Sequence, residues 1–169
     1  MEIPTLQTDR LLLRPLRLED LDDYAAMNAD PQVMQYIDDV QDRPAAFRSL
    51  CSIIGHWHLR GYGPWAVEER ASGRFIGRAG LVHWEPWREV EVGYALVPSA
   101  WGKGYASEVA GRSLRYAHEV VRARGVVSRI LDGNAASVRV AERLGAKYAR
   151  DAYVQVKGRT IRVYAYPDP

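Results

Sequence analysis

The sequence contains very little cysteine: Cys51 is the only one among 169 residues. A single cysteine excludes an internal disulfide and any metal site built from several cysteines. Because Cys51 lies on an apolar stripe with helical spacing, together with Phe47, Leu50, Ile54 and Trp57, we expect a buried thiol rather than a nucleophile. His56 and His58 are two residues apart on the same predicted helix, so they do not face one another, and no metal site is expected.

Long apolar runs and blocks of like charge are also missing. No apolar run approaches the roughly 20 residues that span a bilayer, and residues 1–5 lack the apolar core of a signal peptide. Lys and Arg number 23 against 21 Asp and Glu, a net charge of +2, and they form no basic block. We therefore expect a cytoplasmic protein that binds neither membranes nor nucleic acids.

The remaining composition, with 47% hydrophobic and 26% charged residues, is that of an ordinary globular protein. The length predicts a single domain over residues 1–169 that can bury a core without disulfides or metals. Strand patterns run consecutively in the middle and alternate with helices at both ends, which indicates an α+β fold around a mixed sheet. Predicted strands are residues 10–16, 65–68, 75–82, 90–97, 126–130, 153–156 and 161–166, and predicted helices are residues 18–28, 44–59, 106–121 and 135–144.

A glycine-rich turn, Gly102-Lys103-Gly104, stands between the predicted strand 90–97 and the predicted helix 106–121. The first amides of a helix have no intrahelical partner and lie at the positive end of its dipole, so they suit a phosphate. The glycines allow positive φ and a close approach of a ligand to the backbone, and Lys103 adds a positive charge. The turn alone does not distinguish an anion site from a turn that binds nothing.

The predicted strand 90–97 places Glu91 on one face with Gly93 and Ala95, because side chains alternate along a strand. Two very small neighbours leave room for something to approach the backbone. Apolar surroundings would also raise the pKa of Glu91 and make it a better proton acceptor. The alternative is a glutamate in water at a sheet edge. His83 is a second possible base, although a half-buried histidine bonded to a carbonyl is the simpler interpretation.

A further polar pattern begins at Asn134, an N-cap asparagine followed by an amphipathic helix over residues 135–144 that ends at Gly145. Ser137 lies on the inward face of this helix, one turn beyond the cap. Its hydroxyl could donate back to a backbone carbonyl, or it could donate to a leaving group in a cleft.

Taken in order, these motifs resemble the GCN5-related N-acetyltransferase (GNAT) superfamily, and within it the ribosomal-protein alanine N-acetyltransferase type. The resemblance implies a GNAT-type mixed, mostly antiparallel central sheet flanked by helices, with a splay between the fourth and fifth strands. It also implies acetyl-CoA as co-substrate and no metal. The residues that carry it span nearly the whole chain: Thr8-Asp9-Arg10-Leu11-Leu12-Leu13-Arg14, Gly93-Tyr94, Pro98, Trp101-Gly102-Lys103-Gly104-Tyr105-Ala106, and Asn134-x-x-Ser137 leading to Arg143-Leu144-Gly145.

The family's phosphate loop, Gln/Arg-x-x-Gly-x-Gly/Ala, falls on residues 99–104, with Ser99 where the family has Gln or Arg. The resemblance implies that amides of residues 102–106 hold the pyrophosphate and that the pantetheine arm runs beside residues 95–97. Asn134 would hydrogen-bond the arm, and Ser137 would lie near the thioester sulfur. The implied cofactor-binding residues are Ala95, Leu96, Val97, Gly102, Lys103, Gly104, Tyr105, Ala106, Ser107 and Asn134.

The chemistry of amide formation agrees with this assignment. An amine attacks a thioester only when neutral, yet most amines are protonated at pH 7. Glu91, directly or through a water, is the expected general base, and Ser137 or a bound water is the expected acid. Backbone N–H groups of residues 94–96 could stabilise the oxyanion, and positioning of amine and thioester makes a covalent acyl-enzyme unnecessary.

The predicted reaction is acetyl transfer from acetyl-CoA to a primary amine, on a protein N-terminus or a small molecule, by a monomer or homodimer. The alternative is a non-catalytic acyl-CoA-binding or regulatory domain with the same fold. Expected acceptor contacts are residues 34–42, 56–63 and the closing hairpin. Three tryptophans near the strand turns either pack in the core or cover a hairpin, or else line an amine pocket: Trp65, Trp84 and Trp87.

Overall fold

Eight strands form one sheet in the computed structural model, which describes residues 2–156 and 158–169, with the backbone alone for residues 153–156. The strands are β1 (Leu6–Gln7), β2 (Leu11–Arg14), β3 (Pro64–Glu69), β4 (Arg74–Val82), β5 (Glu91–Leu96), β6 (Val127–Leu131), β7 (Lys147–Val156) and β8 (Arg159–Ala165). The helices are α1 (Leu21–Ala29), α2 (Pro31–Met34), α3 (Arg43–Arg60), α4 (Tyr105–Tyr116) and α5 (Ala135–Arg143).

The strand order is β1-β2-β3-β4-β5-β6-β8-β7, and every neighbouring pair is antiparallel except β5 and β6. These two parallel strands pair in register only at Glu91 and Val127. Beyond that point a side chain replaces the ladder, since Ser128 Oγ donates to the carbonyl of Val92 at 2.9 Å. The predicted mixed, mostly antiparallel sheet is confirmed, and β5 and β6, the fourth and fifth predicted strands, separate as expected.

The core fills the space between the sheet and its helices, with aromatic rings joining the layers. Trp57 on α3 meets Trp65 on β3 edge to face with centroids 4.9 Å apart, and Trp65 meets Tyr116 on α4 at 5.1 Å. All three rings are buried, and such edge contacts add to the free energy gained by burying their area. Trp65 is therefore a core residue, which confirms the first of its two predicted roles.

Helix α3 has a capping carboxylate at its start and a glycine at its end. The Asp42 carboxylate accepts from the amide of Ala45 at 2.8 Å, and Pro44 occupies the first turn, where a missing N–H removes no bond. Gly61 ends the helix with φ +77°, a left-handed conformation that glycine adopts without strain. The prediction of a helix over residues 44–59 is confirmed.

The predicted buried stripe of α3 is wrong by one position. Its core face consists of Ala46, Leu50, Ile53 and Trp57, so Cys51, about 100° further around the helix than Leu50, is exposed. The expectation of a buried thiol is thus incorrect. Phe47, expected on the same stripe, is 43% exposed. The spacing of the apolar residues is compatible with either of two adjacent stripes on the helix surface, and packing against the sheet buries only one of them.

Other boundaries differ locally. The segment predicted as helix 18–28 begins with a 3₁₀ turn, Leu18–Asp20, and Pro31, expected beyond its end, starts the short α2. The predicted helix 106–121 is α4 followed by a π-helical turn, Ala117–Val121. The predicted closing strands are parts of β7 and β8, but Lys157 in their predicted connection lies outside the described residues. Within the described ranges, no helix has the length and apolarity needed to cross a membrane.

Candidate active site

The glycine turn has the backbone geometry of an anion site. Gly102 and Gly104 have φ of +74° and +80°, and Gly104 is the N-cap of α4 without any side chain capping the helix. The first backbone hydrogen bond of the helix runs from the Glu108 amide to the Gly104 carbonyl at 3.2 Å. The preceding amides, residues 105–107, therefore remain available at the positive end of the dipole.

A segment from the start of the chain holds this turn in place. Arg10 donates from Nη1 to the carbonyl of Lys103 at 2.8 Å and from Nε to the Glu108 carboxylate at 2.8 Å. The same carboxylate accepts from the Thr8 hydroxyl and from the Arg10 amide. The Arg10 guanidinium also lies 4.6 Å from the ring centroid of Tyr105. Arg10 thus supports the backbone path of the glycine turn from outside.

A cleft of about 790 Å³, here called the large cleft, runs from the end of β5 along α5 to the first turn of α4. Its lining brings together nine residues singled out from the sequence: Ala95, Leu96, Gly102, Gly104, Tyr105, Ala106, Ser107, Asn134 and Ser137. Val97 and Lys103 do not line it. The Val97 amide donates to Ile76 on β4, and the Lys103 ammonium lies 4.0 Å from the Glu69 carboxylate.

Sequence reasoning missed two cations on the wall of the large cleft. Arg139 and Arg143 on α5 both line it, and Arg143 donates to the hydroxyl of Ser107 at 2.9 Å. Their spacing of four residues on a predicted helix was the available signal, because residues i and i+4 share a helix face. Both side chains are exposed and can pair with a phosphate that enters the cleft.

Asn134 acts as the predicted N-cap. Its Oδ1 accepts from the amide of Ser137 at 3.1 Å, and its Nδ2 makes no hydrogen bond within the part of the chain that the structure describes. The Ser137 side chain interacts with the hydroxyl of Tyr94 across the cleft. Burial raises the pKa of Tyr94 to about 12, while the hydrogen bond to Ser137 acts in the opposite direction. Tyr94 is therefore a protonated donor at neutral pH.

A second pocket of about 380 Å³ adjoins the large cleft and contains Glu91. The two spaces share the side chains of Tyr36, Ile37, Tyr94, Asn134 and Ser137, so a group held in one can reach a group held in the other. Tyr36 and Ile37 belong to the segment 34–42, which the sequence analysis expected to contact substrate. The sequence left the relation of Glu91 to Ser137 open, and the fold makes both of them line the second pocket, with Ser137 also on the wall shared with the large cleft.

Glu91 is not the free carboxylate that its strand position suggested. Arg129 on β6 donates from Nη1 to Glu91 Oε2 at 3.0 Å. Burial raises the pKa of Glu91 above its ordinary value, and the charge of Arg129 opposes this shift. The result is a carboxylate whose proton affinity is increased but which has a fixed counterion.

Arg129 is the centre of a network that the sequence did not indicate. Its side chain is 5% exposed, its Nη2 donates to Glu89 at 2.8 Å, and its guanidinium stacks 4.3 Å from the ring centroid of Trp87. Arg150 on β7 pairs with the other oxygen of Glu89. Trp87 thus lines neither space, and its ring covers the cation that holds Glu91.

The histidines near the second pocket are satisfied by the backbone. His83 Nε2 lies 2.8 Å from the carbonyl of Trp87, which confirms the simpler interpretation of this residue, and His83 lines neither space. Burial lowers the pKa of His56, whose Nδ1 bonds the Tyr62 carbonyl while Nε2 accepts from the His83 amide at 2.9 Å. Trp84, 42% exposed, lines the second pocket. No cluster of three or more His, Cys, Asp or Glu suited to a metal occurs among the described residues.

Comparison with known proteins agrees with this geometry. The family model described as "Acetyltransferase (GNAT) domain" matches residues 10–147. The chain is 30% identical to the "Uncharacterized N-acetyltransferase p20" of Bacillus licheniformis, covering 96% of this chain and 94% of that protein. An acetyltransferase structure from Agrobacterium tumefaciens str. C58 superposes with a TM-score of 0.87 and 30% identity, covering 99% of this chain and 96% of that one.

A ribosomal L7/L12 alpha-N-protein acetyltransferase, RimL, solved in complex with coenzyme A, has the same fold at 18% identity, with a TM-score of 0.83 and 98% of each chain covered. At this identity the likeness extends to the fold and not to the acceptor. The family-model match and the overall similarity to named acetyltransferases settle the class of enzyme. The chain belongs to the GNAT superfamily and is an acetyl-CoA-dependent acyltransferase.

Proposed function

We propose that this enzyme transfers the acetyl group of acetyl-CoA directly to a primary amine, on a small molecule or a protein N-terminus. The observation that carries the proposal is the meeting of two spaces at Tyr94, Asn134 and Ser137. One space ends at the unpartnered amides of α4, and the other contains Glu91. A diphosphate-bearing thioester in the first and an amine in the second would place the reacting atoms at the shared wall.

The large cleft fits the co-substrate in charge and in shape. Amides of residues 105–107 face the pyrophosphate position, and Arg139 and Arg143 add positive charge beside it. The Nδ2 of Asn134 is free to donate to an amide carbonyl of the pantetheine arm. The acetyl carbon of acetyl-CoA is the electrophile that the attacking amine requires.

Glu91 is the proposed general base. The amine arrives protonated and must lose a proton before or during attack, and a carboxylate with a raised pKa accepts that proton better than an ordinary one. Arg129 opposes the effect of burial and so favours the ionised form of Glu91, which is the form that accepts a proton. Transfer proceeds to Glu91 directly or through one water molecule.

The oxyanion would be stabilised by the backbone of β5 that faces the gap between β5 and β6. The Val97 amide donates to β4, whereas the Val92 carbonyl accepts from Ser128 on β6. Because backbone groups alternate sides along a strand, the amides of Tyr94 and Leu96 point into the gap. A preorganised N–H there favours the charge that develops on the acetyl oxygen.

The leaving thiolate needs only a modest acid. The Ser137 hydroxyl is the proposed donor, and the neighbouring Tyr94 hydroxyl, protonated at neutral pH, can replace the proton that Ser137 gives up. Collapse of the tetrahedral intermediate then yields the N-acetyl product and free CoA, with no covalent bond to the protein.

The test combines binding with turnover. Calorimetry should detect CoA binding, and release of free thiol from acetyl-CoA should increase when primary amines are added from a panel of small molecules and short peptides. Binding of CoA without amine-dependent thiol release from any member would instead support a non-catalytic acyl-CoA-binding domain. Absence of CoA binding would contradict the proposal altogether.

A further inference from the structure

We infer that the acceptor amine also has a carboxylate, and that Arg78 on β4 binds it. This inference rests on the proposed function, in which the amine occupies the second pocket. It restricts the class of acceptor to small amines with an anionic group. It also makes Arg78, which takes no part in acetyl transfer itself, the residue that selects the acceptor.

Arg78 is an arginine without a partner. It lines the second pocket, and none of the described residues forms a hydrogen bond or ion pair with its side chain. Its Nε is buried and unsatisfied. Burying polar atoms of a cation without partners is unfavourable, so an arginine in this position is better satisfied when an anion is bound.

The neighbours of Arg78 leave room for a ligand instead of filling the space. Its cross-strand partners are Ala66 on β3 and Ala95 on β5, and both alanines are buried. A residue opposite Arg78 with a carboxylate would have neutralised it inside the sheet. Small residues on both sides leave the guanidinium free to point into the pocket.

The carboxylates of this region already have cations. Glu91 and Glu89 bind Arg129, and Glu68 on β3 accepts from Arg14 at 2.7 Å. Asp38, which also lines the second pocket, has an interaction of its own. Arg78 affects Glu91 through its charge but makes no bond to it. A bidentate pair with an incoming carboxylate would therefore displace no existing ion pair of Arg78.

The positions of Arg78 and Glu91 suit one small molecule. Glu91 is paired in register with Val82, and Arg78 with Ala95, so both side chains emerge on the same face of the sheet, four residues apart along β4. The pocket volume of about 380 Å³ lies in the range of small-ligand sites. Trp84 adds an apolar wall for the rest of the acceptor.

The test compares pairs of amines that differ only in the carboxylate, such as an α-amino acid and its amide. For each pair, the ratio of kcat/KM for the acid to that for the amide is measured in the unaltered enzyme and in Arg78→Met. Comparing ratios between enzymes removes the different amine pKa values of the two substrates. We expect the ratio to fall by about 10-fold or more in Arg78→Met and to recover in part in Arg78→Lys.

Arg74→Met is the matched control, because Arg74 lies at the start of the same strand, is exposed and lines neither space. It should leave the ratio unchanged. An unchanged ratio in Arg78→Met, or acetylation restricted to carboxyl-blocked peptides, would overturn the inference while leaving the proposed function intact.

Calorimetry separates the two proposals further. With CoA present, an N-acetylated amino acid should bind more tightly than its amide, and Arg78→Met should abolish the difference. This readout needs no turnover, so it decides the role of Arg78 even if no amine on the panel is acetylated. Equal affinity of the acid and the amide would contradict the inference.

Discussion

The chemical behaviour of single side chains in this site depends on which charged groups have an ion-pair partner. Burial raises the pKa of Glu91, and the positive charge of its ion-pair partner Arg129 acts against that increase. Arg129 is itself held by Glu89 and covered by Trp87, so it cannot move towards a ligand without breaking several contacts. The proton affinity of Glu91 is therefore a property of this network and not of the isolated carboxylate.

The first prediction concerns Glu91→Gln. Glu91 must be ionised to accept a proton, so kcat/KM should fall as the pH drops through a pKa above the ordinary value of a glutamate. The substitution removes the base, and kcat/KM should decrease by about 100-fold or more. Its pH profile should retain only the dependence due to protonation of the amine.

Steady-state thiol release between pH 6 and 9, a proposed range, measures both effects, and calorimetry should find CoA affinity unchanged. Turnover of Glu91→Gln that matches the unaltered enzyme across this range would remove Glu91 from the role of base.

Two secondary-structure elements, α4 and β4, each require a glycine, but for different physical reasons. Gly104 starts α4 in a left-handed conformation that leaves the first amides exposed, while Gly77 on β4 lets two strands approach. A Cβ on Gly77 would lie 2.2 Å from the Ala95 carbonyl oxygen and 2.8 Å from Leu96 Cα, distances that the folded backbone cannot accept. One glycine therefore leaves helix amides exposed, and the other allows two strands to pack closely.

The second prediction separates binding from folding at Gly104. Gly104→Val should weaken CoA binding by about 10-fold or more, because a β-branched residue disfavours φ of +80° and shifts the first turn of α4. Space is not the cause, since the nearest atom to a Cβ there is Arg10 Nη2 at 3.5 Å.

Gly61→Val is its control, as Gly61 has φ of +77°, lies in open space and lines neither pocket. Both variants should lose about 1–2 kcal/mol of unfolding free energy, but only Gly104→Val should lose CoA affinity in calorimetry. Equal CoA affinity in the two variants would contradict the assignment of the phosphate site.

The third prediction concerns Gly77→Ala, which should lower the unfolding free energy by about 1–3 kcal/mol because the added methyl overlaps β5. Gly55→Ala in α3 is the comparison, since a Cβ at Gly55 meets nothing within 4 Å. That substitution should instead raise stability by about 0.5–1 kcal/mol through helix propensity. Denaturant unfolding measures the free energy of unfolding of both variants. Changes of the same sign in the two variants would contradict the prediction.

The glycine turn before α4 is held by a segment almost 100 positions earlier in the chain. Arg10 bonds the Lys103 carbonyl and the Glu108 carboxylate, so residues 8–10 and the start of α4 behave as one unit. Similarly, Arg129 and Arg150 connect the strands beyond the gap to Glu89, in the segment just before β5. The candidate site is thus supported on both sides by long-range ion pairs.

The fourth prediction is that Arg10→Met raises the KM for acetyl-CoA several-fold with little change in kcat, because Arg10 positions the turn and does not contact the reacting atoms. The cost in stability should stay below about 1 kcal/mol, since the Arg10 side chain is 48% exposed and its ion pair is screened by solvent.

Arg43→Met breaks another exposed ion pair, with Asp22 on α1, and should leave KM unaffected. A KM for acetyl-CoA in Arg10→Met equal to that of Arg43→Met would show that the turn keeps its path without Arg10.

Local patterns predicted much of this fold. The strand and helix positions, the N-cap at Asn134 and the glycine turn all follow from spacing and backbone preference within a few residues. The same kind of pattern wrongly predicted a buried thiol at Cys51, because the spacing of apolar residues in α3 is compatible with two adjacent stripes on the helix surface. It also gave no indication of β1, a two-residue strand whose pairing depends on β2.

What the sequence determined by itself is the set of elements, the open turn before α4 and the family to which the chain belongs, since all of these reside in short ordered motifs. Only the tertiary structure decided that Glu91 is paired with Arg129, that Arg10 supports Lys103, and that none of the described residues pairs with Arg78. These facts join residues distant in sequence, and side-chain charge alone does not specify which opposite charge a folded chain will bring within bonding distance.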